Sequence, residues 1–362
     1  MRHLLFILLF VFIVAGRAKA SISADSTPVA KLLGLKLHQG FVLVHSRHLR
    51  PIRNSYPTGL AFDLAWHKTG QKAWNACHCY PKLGVSLSLW DYDHPDILGH
   101  GLISMFYLEP VFGAWRTMSF SIRAAAGFSY QTKPYDEISN PNNLSYSTYI
   151  AVALQLGANL HIRLYPHWNL DITTVYNHFS NGGIKLPNKG INWPTAAIGV
   201  TRYFTVPNFQ NREKKDWRIH SRREGRFEVS TFLAFKEPVS KLFLFSPGLE
   251  VKYSRQVSRL SALTLGAEWM YDNGTRYAIE LAGRTESPQK GSLAIGHEFL
   301  FGKFIFSQQF GFYLYKPYRQ GADVYQRYGL IYRISPRFFG GINLKAHRHV
   351  ADFADFRLGM VF

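Results

Sequence analysis

His178 and Ser180 stand two places apart in the run from His167 to Phe204, HWNLDITTVYNHFSNGGIKLPNKGINWPTAAIGVTRYF. Strand side chains alternate with a period of two, so residues i and i+2 are neighbours on one face. Trp168 to Asn181 alternates in this way. Leu170, Ile172, Thr174, Tyr176, His178 and Ser180 share one face; Asn169, Asp171, Thr173, Val175, Asn177 and Phe179 share the other. An imidazole beside a hydroxyl is the minimum for a base-activated nucleophile. Below the pair, its face is the more apolar of the two. In a strand crossing a membrane that face would meet lipid, an odd place for a polar pair unless the substrate is itself a lipid. The plainer reading is a His and a Ser at the rim of a barrel, where polar residues are common.

The elements around the pair also read as strands. Eight runs precede residue 205: Leu37–Arg47, Thr58–Lys68, Leu83–Tyr92, His100–Pro110, Thr117–Gln131, Ser147–Tyr165, Trp168–Ser180 and Trp193–Phe204. Tyr165-Pro166-His167-Trp168 is a tight turn, whereas Thr132–Tyr146 and Asn181–Asn192 are long and polar. Outer-membrane barrels have short turns on one side and longer loops on the other, which puts the loop after Ser180 on the outer side. Thr69–Pro81 is the exception, a long segment on the short-turn side. Nine further runs follow: Phe227–Phe235, Leu242–Tyr253, Leu260–Tyr271, Arg276–Gly283, Ser292–Phe301, Phe304–Tyr315, Tyr325–Arg333, Phe338–Ala346 and Phe353–Phe362, with Asp272-Asn273-Gly274 as a hairpin turn. The total is odd, and bacterial single-chain barrels have even counts, so one run is miscounted.

The expected fold is all-β, a transmembrane antiparallel β-barrel. It is either one barrel of about 16 strands or an eight-stranded barrel followed by a second β unit. Run lengths favour the single barrel, since most reach the nine to eleven residues a tilted crossing needs. A soluble β-sandwich is the alternative. The division by sequence is residues 1–20 as a secretory signal, 21–205 as the barrel with the His-Ser pair, 206–226 as a basic linker or loop, and 227–362 as a C-terminal strand region of unknown role. The signal rests on Arg2 and His3, the apolar run Leu4–Ala15 and the small-x-small site Ala18-Lys19-Ala20.

Aromatic residues make up 15% of the chain, which suits strands with aromatic girdles better than a soluble α/β enzyme. The formal charge of +19 reads either as plain surface solvation or as a match for an anionic partner. No nucleic-acid motif accompanies it, so lipid or lipopolysaccharide phosphates fit better. Cys77 and Cys79 are expected to be ordinary turn residues. A bridge across one intervening residue would be strained, and with His67 and His78 nearby a metal is the other reading. The acidic run Asp91, Asp93 and Asp96 lacks EF-hand spacing and reads as a polar outer loop.

His178-Phe179-Ser180-Asn181, the Asn188-Lys189-Gly190 element and the strand Gly199-Val200-Thr201-Arg202-Tyr203-Phe204 together resemble the lipid A 3-O-deacylase (PagL-like) family, also described as acyloxyacyl hydrolases. The resemblance covers roughly residues 30 to 205 and includes the loop TKPYDEISNPNN. It implies an outer-membrane β-barrel and a carboxylic ester hydrolase. Ser180 would attack an ester carbonyl, with His178 as base and then acid. Asn181, Gly182 and Gly183, with Asn188 in the same loop, would surround the oxyanion. No cofactor or metal is implied. The family places a Glu about twelve residues after the Ser; here that position is Asn192. An amide can hold an imidazole in one tautomer but cannot neutralise an imidazolium. Either Asn192 orients His178 with slower turnover, or Asp136 or Glu137 serves as the acid, or the site is degenerate.

Two functions follow from different classes. One is an outer-membrane esterase that removes a fatty acyl chain from lipid A. The other is a non-catalytic barrel, a channel or scaffold, favoured by the missing Glu and by Asn169, Asp171, Thr173 and Asn177, which would suit a wet lumen.

Overall fold

The computed structural model describes residues 28–182, 185–214, 225–239, 242–319, 321–347 and 350–362. The signal segment and most of the basic stretch of the linker lie outside the described residues.

The first barrel is built from β1 (Val29–Gly40), β2 (Thr58–Lys68), β3 (Tyr80–Asp91), β4 (His100–Phe112), β5 (Met118–Gln131), β6 (Ile150–Tyr165), β7 (Trp168–Ser180) and β8 (Ile191–Tyr203). Each strand pairs antiparallel with the next, and β8 pairs back onto β1, so the sheet closes on itself. At that seam Gly199 faces Lys36, and a Cβ there would lie 2.4 Å from the Leu35 carbonyl oxygen. A glycine lets the two backbones close.

The second barrel follows the same plan. It comprises β9 (Gly225–Val239), β10 (Leu242–Ser258), β11 (Ser261–Tyr271), β12 (Gln289–Phe301), β13 (Phe304–Tyr315), β14 (Val324–Arg333), β15 (Phe338–His347) and β16 (Val350–Val361), with β16 closing on β9. The choice left open by the sequence is therefore settled as two closed eight-stranded barrels rather than one barrel of 16. Strand length could not decide this, because a strand crosses the same thickness in either arrangement; what decides is where the ladder returns to its first strand.

Both walls are apolar outside and polar inside, the inverse of a water-soluble protein and the pattern of a membrane-spanning barrel. Leu33, Leu35 and Leu37 of β1 and Phe62, Leu64 and Trp66 of β2 face outward, whereas Lys36, His38, Asp63 and His67 are buried inside. In the second barrel Leu263, Leu265, Ile295 and Leu358 face outward over a buried interior of Glu250, Lys252, Glu268, Arg327 and Arg357. No described helix is long and apolar enough to cross a membrane.

Ion pairs fill the interiors. In the first barrel Arg123 bridges Asp63 (2.6 Å) and Glu109 (2.7 Å), Lys36 holds Asp63 (3.2 Å) and Lys82 holds Glu109 (2.9 Å). In the second, Lys252 bridges Glu298 (2.7 Å) and Glu228 (2.9 Å), Arg357 reaches Glu250 (2.5 Å), and Arg327 pairs with Glu268.

Three expectations from the sequence need correction. The surplus strand Arg276–Gly283 is a helix: α2 spans Asn273–Leu281. Asp272 does not begin a hairpin; its side chain accepts from the Thr275 N–H and caps the helix. The first strand is Val29–Gly40 rather than Leu37–Arg47. Residues 41–45 keep a strand-like alternation because Phe41 and Leu43 still bond the Pro194 and Asn192 carbonyls at the start of β8 (3.3 and 2.8 Å). Finally, Cys77 and Cys79 form a disulfide. It closes the C-terminus of α1 (Gln71–Cys77), which fills the long segment on the short-turn side, with His78 between them in the left-handed conformation (φ 50°). Both sulfurs are used, and His67 bonds Tyr203 Oη (2.8 Å) and the Tyr80 carbonyl (3.0 Å), so the metal reading of this cluster fails.

Candidate active site at the barrel rim

β7 alternates as its sequence requires. Asp171, Thr173, Val175, Asn177 and Phe179 are buried inside, while Ile172, Thr174, Tyr176, His178 and Ser180 face out. His178 and Ser180 are thus on the outer wall, at the end of the barrel that carries the long loops. The His178 Nε2 lies 3.3 Å from Ser180 Oγ. β7 and β8 pair His178 directly with Asn192, and His178 Nδ1 lies 2.7 Å from Asn192 Oδ1. An Nδ1–H donating to that oxygen leaves Nε2 with its lone pair toward the hydroxyl, the tautomer a general base needs.

Beneath the pair the inner face is packed rigid. Phe179 stacks edge-on against Trp193 (centroids 5.4 Å) and Tyr146 (5.2 Å), and Trp193 meets Tyr92 at 5.7 Å. These rings plug the barrel end and fix the strand ends whose outer side chains form the site.

The loop between β5 and β6 holds the described part of the segment from Asn181 to Gly190. Lys189 and Gly190 donate their N–H groups to the Leu144 and Ser145 carbonyls (3.0 and 2.8 Å). Gly190 has φ +68°, and a Cβ there would lie 2.9 Å from His178 Cε1, so the loop passes close over the imidazole. Asn181 is 2% exposed; its amide donates to Ser147 Oγ (3.1 Å) and the Lys185 carbonyl (2.7 Å). Its backbone N–H donates to Asn188 Oδ1 (3.1 Å). The side chain of Asn181 and the amide oxygen of Asn188 therefore hold the loop, and Asn181 offers neither donor to an oxyanion. Gly182 has φ +68° and open space where a Cβ would be. Gly183 lies outside the described residues.

Asp136 does not join the site. Its carboxylate accepts from Ser139 N–H, Ser139 Oγ and Ile138 N–H within its own turn (2.8–3.1 Å), and the Ser139 N–H holds its pKa below the usual carboxylate value. Nothing among the described residues ties Glu137 to His178. Asp91 ends β3 and Asp93 lies in the loop that follows, where it accepts from the Tyr56 N–H (3.2 Å).

One residue of the constellation had no signal in the sequence. His45, in the loop after β1, places Nδ1 3.0 Å from Asn192 Nδ2 and Nε2 2.9 Å from the Lys189 carbonyl. The strand-like alternation of residues 41–45 hid it inside an expected strand.

The fold and site define a protein of two membrane barrels, the first carrying an outward Ser-His-Asn array at its rim. Residues 56–201 match the family model for lipid A 3-O-deacylase (PagL), and residues 225–362 match that for the acyloxyacyl hydrolase C-terminal domain. The chain belongs to this PagL-like, acyloxyacyl hydrolase family. Among solved structures, the outer membrane enzyme PagL is similar at 15% identity, covering 46% of this chain and 97% of that one, with a TM-score of 0.35. A mutant porin of Rh. blastica aligns at 11% identity over 92% of this chain and 99% of its own, with a TM-score of 0.20. No curated protein matches the chain.

Proposed function

We propose that the protein is an outer-membrane carboxylic ester hydrolase that releases a fatty acyl chain from lipid A. Ser180 Oγ attacks the ester carbonyl, and His178 Nε2 takes its proton and returns it to the departing sugar hydroxyl. Water then cleaves the acyl-enzyme by the same route. Asn192 holds the His178 tautomer. The Gly182 N–H, just past the end of β7, is the donor assigned to the oxyanion.

The observation that carries this reading is the orientation of the pair: hydroxyl, imidazole and amide in line on the wall that faces lipid, at the rim where an ester between head group and acyl chain would lie. Two features support it. A groove of about 820 Å³ lies on the wall below the site, lined by Tyr176, Pro194, Leu156, Ala158, Phe120 and Ile122 among others. Tyr176 and Pro194 are paired one outward step below His178 and Asn192, so a chain esterified at the site would lie along apolar wall. Around the rim, Arg47, Arg50, Arg53, Lys133, Lys185 and Lys189 are exposed on the loops, a set suited to phosphates. The filled interiors of both barrels argue against the channel alternative.

The test is mass spectrometry of lipid A after incubation with the purified protein in mixed micelles. The expected product is lipid A lighter by one acyl chain, with free fatty acid, absent for Ser180→Ala. Identical spectra for the two proteins would refute the proposal.

A further inference from the structure

We infer that His45 is a positioning residue that sets which way the Asn192 amide faces, and through it the protonation state of His178. The inference rests on the esterase reading of the site and adds a residue and a mechanism to it.

A carboxylate at position 192 would need no orienting, because both its oxygens accept. An amide is different. Turned one way it offers His178 Nδ1 an oxygen, which stabilises the Nδ1–H tautomer with Nε2 free to take the Ser180 proton. Turned the other way it offers an NH₂, which stabilises the Nε2–H tautomer, and that imidazole cannot act as the base. Something must choose between the two.

His45 is placed to choose. The contacts form one directed series. Ser180 O–H donates to His178 Nε2 (3.3 Å), and His178 Nδ1–H donates to Asn192 Oδ1 (2.7 Å). Asn192 Nδ2–H then donates to His45 Nδ1 (3.0 Å), and His45 Nε2–H donates to the Lys189 carbonyl (2.9 Å). Along the line His178, Asn192 and His45 each accept from one neighbour and donate to the next. The anchor is a backbone carbonyl, which can only accept. A second carbonyl, that of Leu43, lies 3.4 Å from His45 Nδ1, but the Lys189 carbonyl is closer to Nε2 and Asn192 Nδ2 is closer to Nδ1. The shorter pair of contacts favours the proton on Nε2, leaves Nδ1 as the acceptor, and so turns the NH₂ of Asn192 outward and its oxygen toward His178. The anchor is itself immobile: the Lys189 N–H is bonded to the Leu144 carbonyl of the neighbouring loop (3.0 Å). The loop bearing His45 is tied down by the bond from Leu43 N–H to the Asn192 carbonyl (2.8 Å).

The experiment is a double-variant cycle with two readouts. Acyl release from lipid A is measured for wild type, His45→Ala, His45→Asn, Asn192→Asp and His45→Ala/Asn192→Asp. The His178 tautomer is read from imidazole ¹⁵N shifts in micelles, with the other histidines assigned by substitution. His45→Ala should lower release about tenfold and turn a single Nδ1–H tautomer into a mixture. His45→Asn, whose amide oxygen stands where Nδ1 stood, should restore both. In the Asn192→Asp background His45→Ala should cost close to nothing. An equal loss in both backgrounds would make His45 a mere prop for its loop and overturn the inference. So would an unchanged tautomer in His45→Ala. Absence of release by wild type would refute the esterase reading alone, since the tautomer shift decides the role of His45 without turnover.

Discussion

The first barrel holds two Ser-His arrays, and the better-formed one is not at the rim. Inside the barrel, Ser121 Oγ lies 2.9 Å from His161 Nε2, and His161 Nδ1 lies 2.6 Å from Asp171 Oδ1. The rim array has a longer Ser-His contact, 3.3 Å, and an amide where the inner one has a carboxylate. By distances alone the inner set is the stronger triad. Its surroundings say otherwise. Ser121 is fully buried, and its oxygen already engages the Glu109 carboxylate (3.0 Å) and the Asn159 amide (3.0 Å). His161 Nε2 faces Glu109 Oε1 at 3.1 Å and Lys82 Nζ at 3.3 Å, so the nitrogen a base must keep free is shared three ways. Asp171 also accepts from Thr201 Oγ1 (2.5 Å). Every lone pair there is committed to structure and no substrate can reach it. At the rim, contacts are fewer and looser, and one side is open to lipid. Catalysis needs groups left unsatisfied until a substrate arrives, whereas stability needs the reverse.

The sharpest way to break this contrast is to remove each hydroxyl. Ser180→Ala should lower acyl release by a factor of about a thousand or more, with folding unaffected because the side chain faces outward. Ser121→Ala should leave release per folded molecule unchanged. The reverse outcome, measured by fatty acid release from micellar lipid A, would move the active site into the lumen.

A second test removes a charge from the inner network. Glu109→Gln takes one carboxylate from Lys82, Arg123 and His161 together. Uncompensated buried charge of this kind costs about 3–5 kcal/mol. Urea unfolding from vesicles, followed by tryptophan fluorescence, should show a loss of that order, while the protein that remains folded turns over normally. If stability is unchanged but turnover falls, the inner array is not merely structural.

The third test sits where the loop passes over the imidazole. Gly190→Ala puts a methyl group 2.9 Å from His178 Cε1 at a position with φ +68°, a conformation that costs a non-glycine residue about 1 kcal/mol. The ring must shift, and release should fall about tenfold with only a small loss of stability. An equal change at Gly182, which has the same φ but nothing within 4 Å of a built Cβ, should cost strain without displacing the base.

The contrast between the arrays also explains what could be read from sequence. His178 and Ser180 are two apart in one strand, so alternation alone puts them side by side, and the apolar residues below them mark the outer face. Asn192 came from the family resemblance; only the β7–β8 register shows that it is the direct partner of His178. His161 and Ser121 are 40 residues apart and meet only because β5 and β6 pair as they do. His45 reaches the site over a separation of 147 residues, from a loop whose alternation imitates a strand. The eight strands of the first barrel and eight of the nine runs in the second follow the period of two. Closure into two barrels, by contrast, is set by which edges meet, and period carries no trace of that. The helix after β11 is not legible in the sequence because Asp-Asn-Gly serves equally as a turn and as a cap followed by helix; the Asp272–Thr275 bond decides it.

The smallest expected effect concerns the one respect in which the inner array looks superior. Asn192→Asp gives the rim the carboxylate that Asp171 gives the interior, with no change in side-chain length. A hydrogen bond to a charged group contributes about 1 kcal/mol more than a neutral one. The benefit falls on the imidazolium formed as His178 takes the Ser180 proton, so release should rise about tenfold at most. The much larger losses seen when a triad carboxylate becomes an amide arise when the amide favours the wrong tautomer, and here the amide presents its oxygen to Nδ1. A gain of a thousandfold would therefore mean that Asn192 does not hold the productive tautomer in the wild-type protein. A loss would mean that the amide, unlike the carboxylate, is needed for its bond to His45.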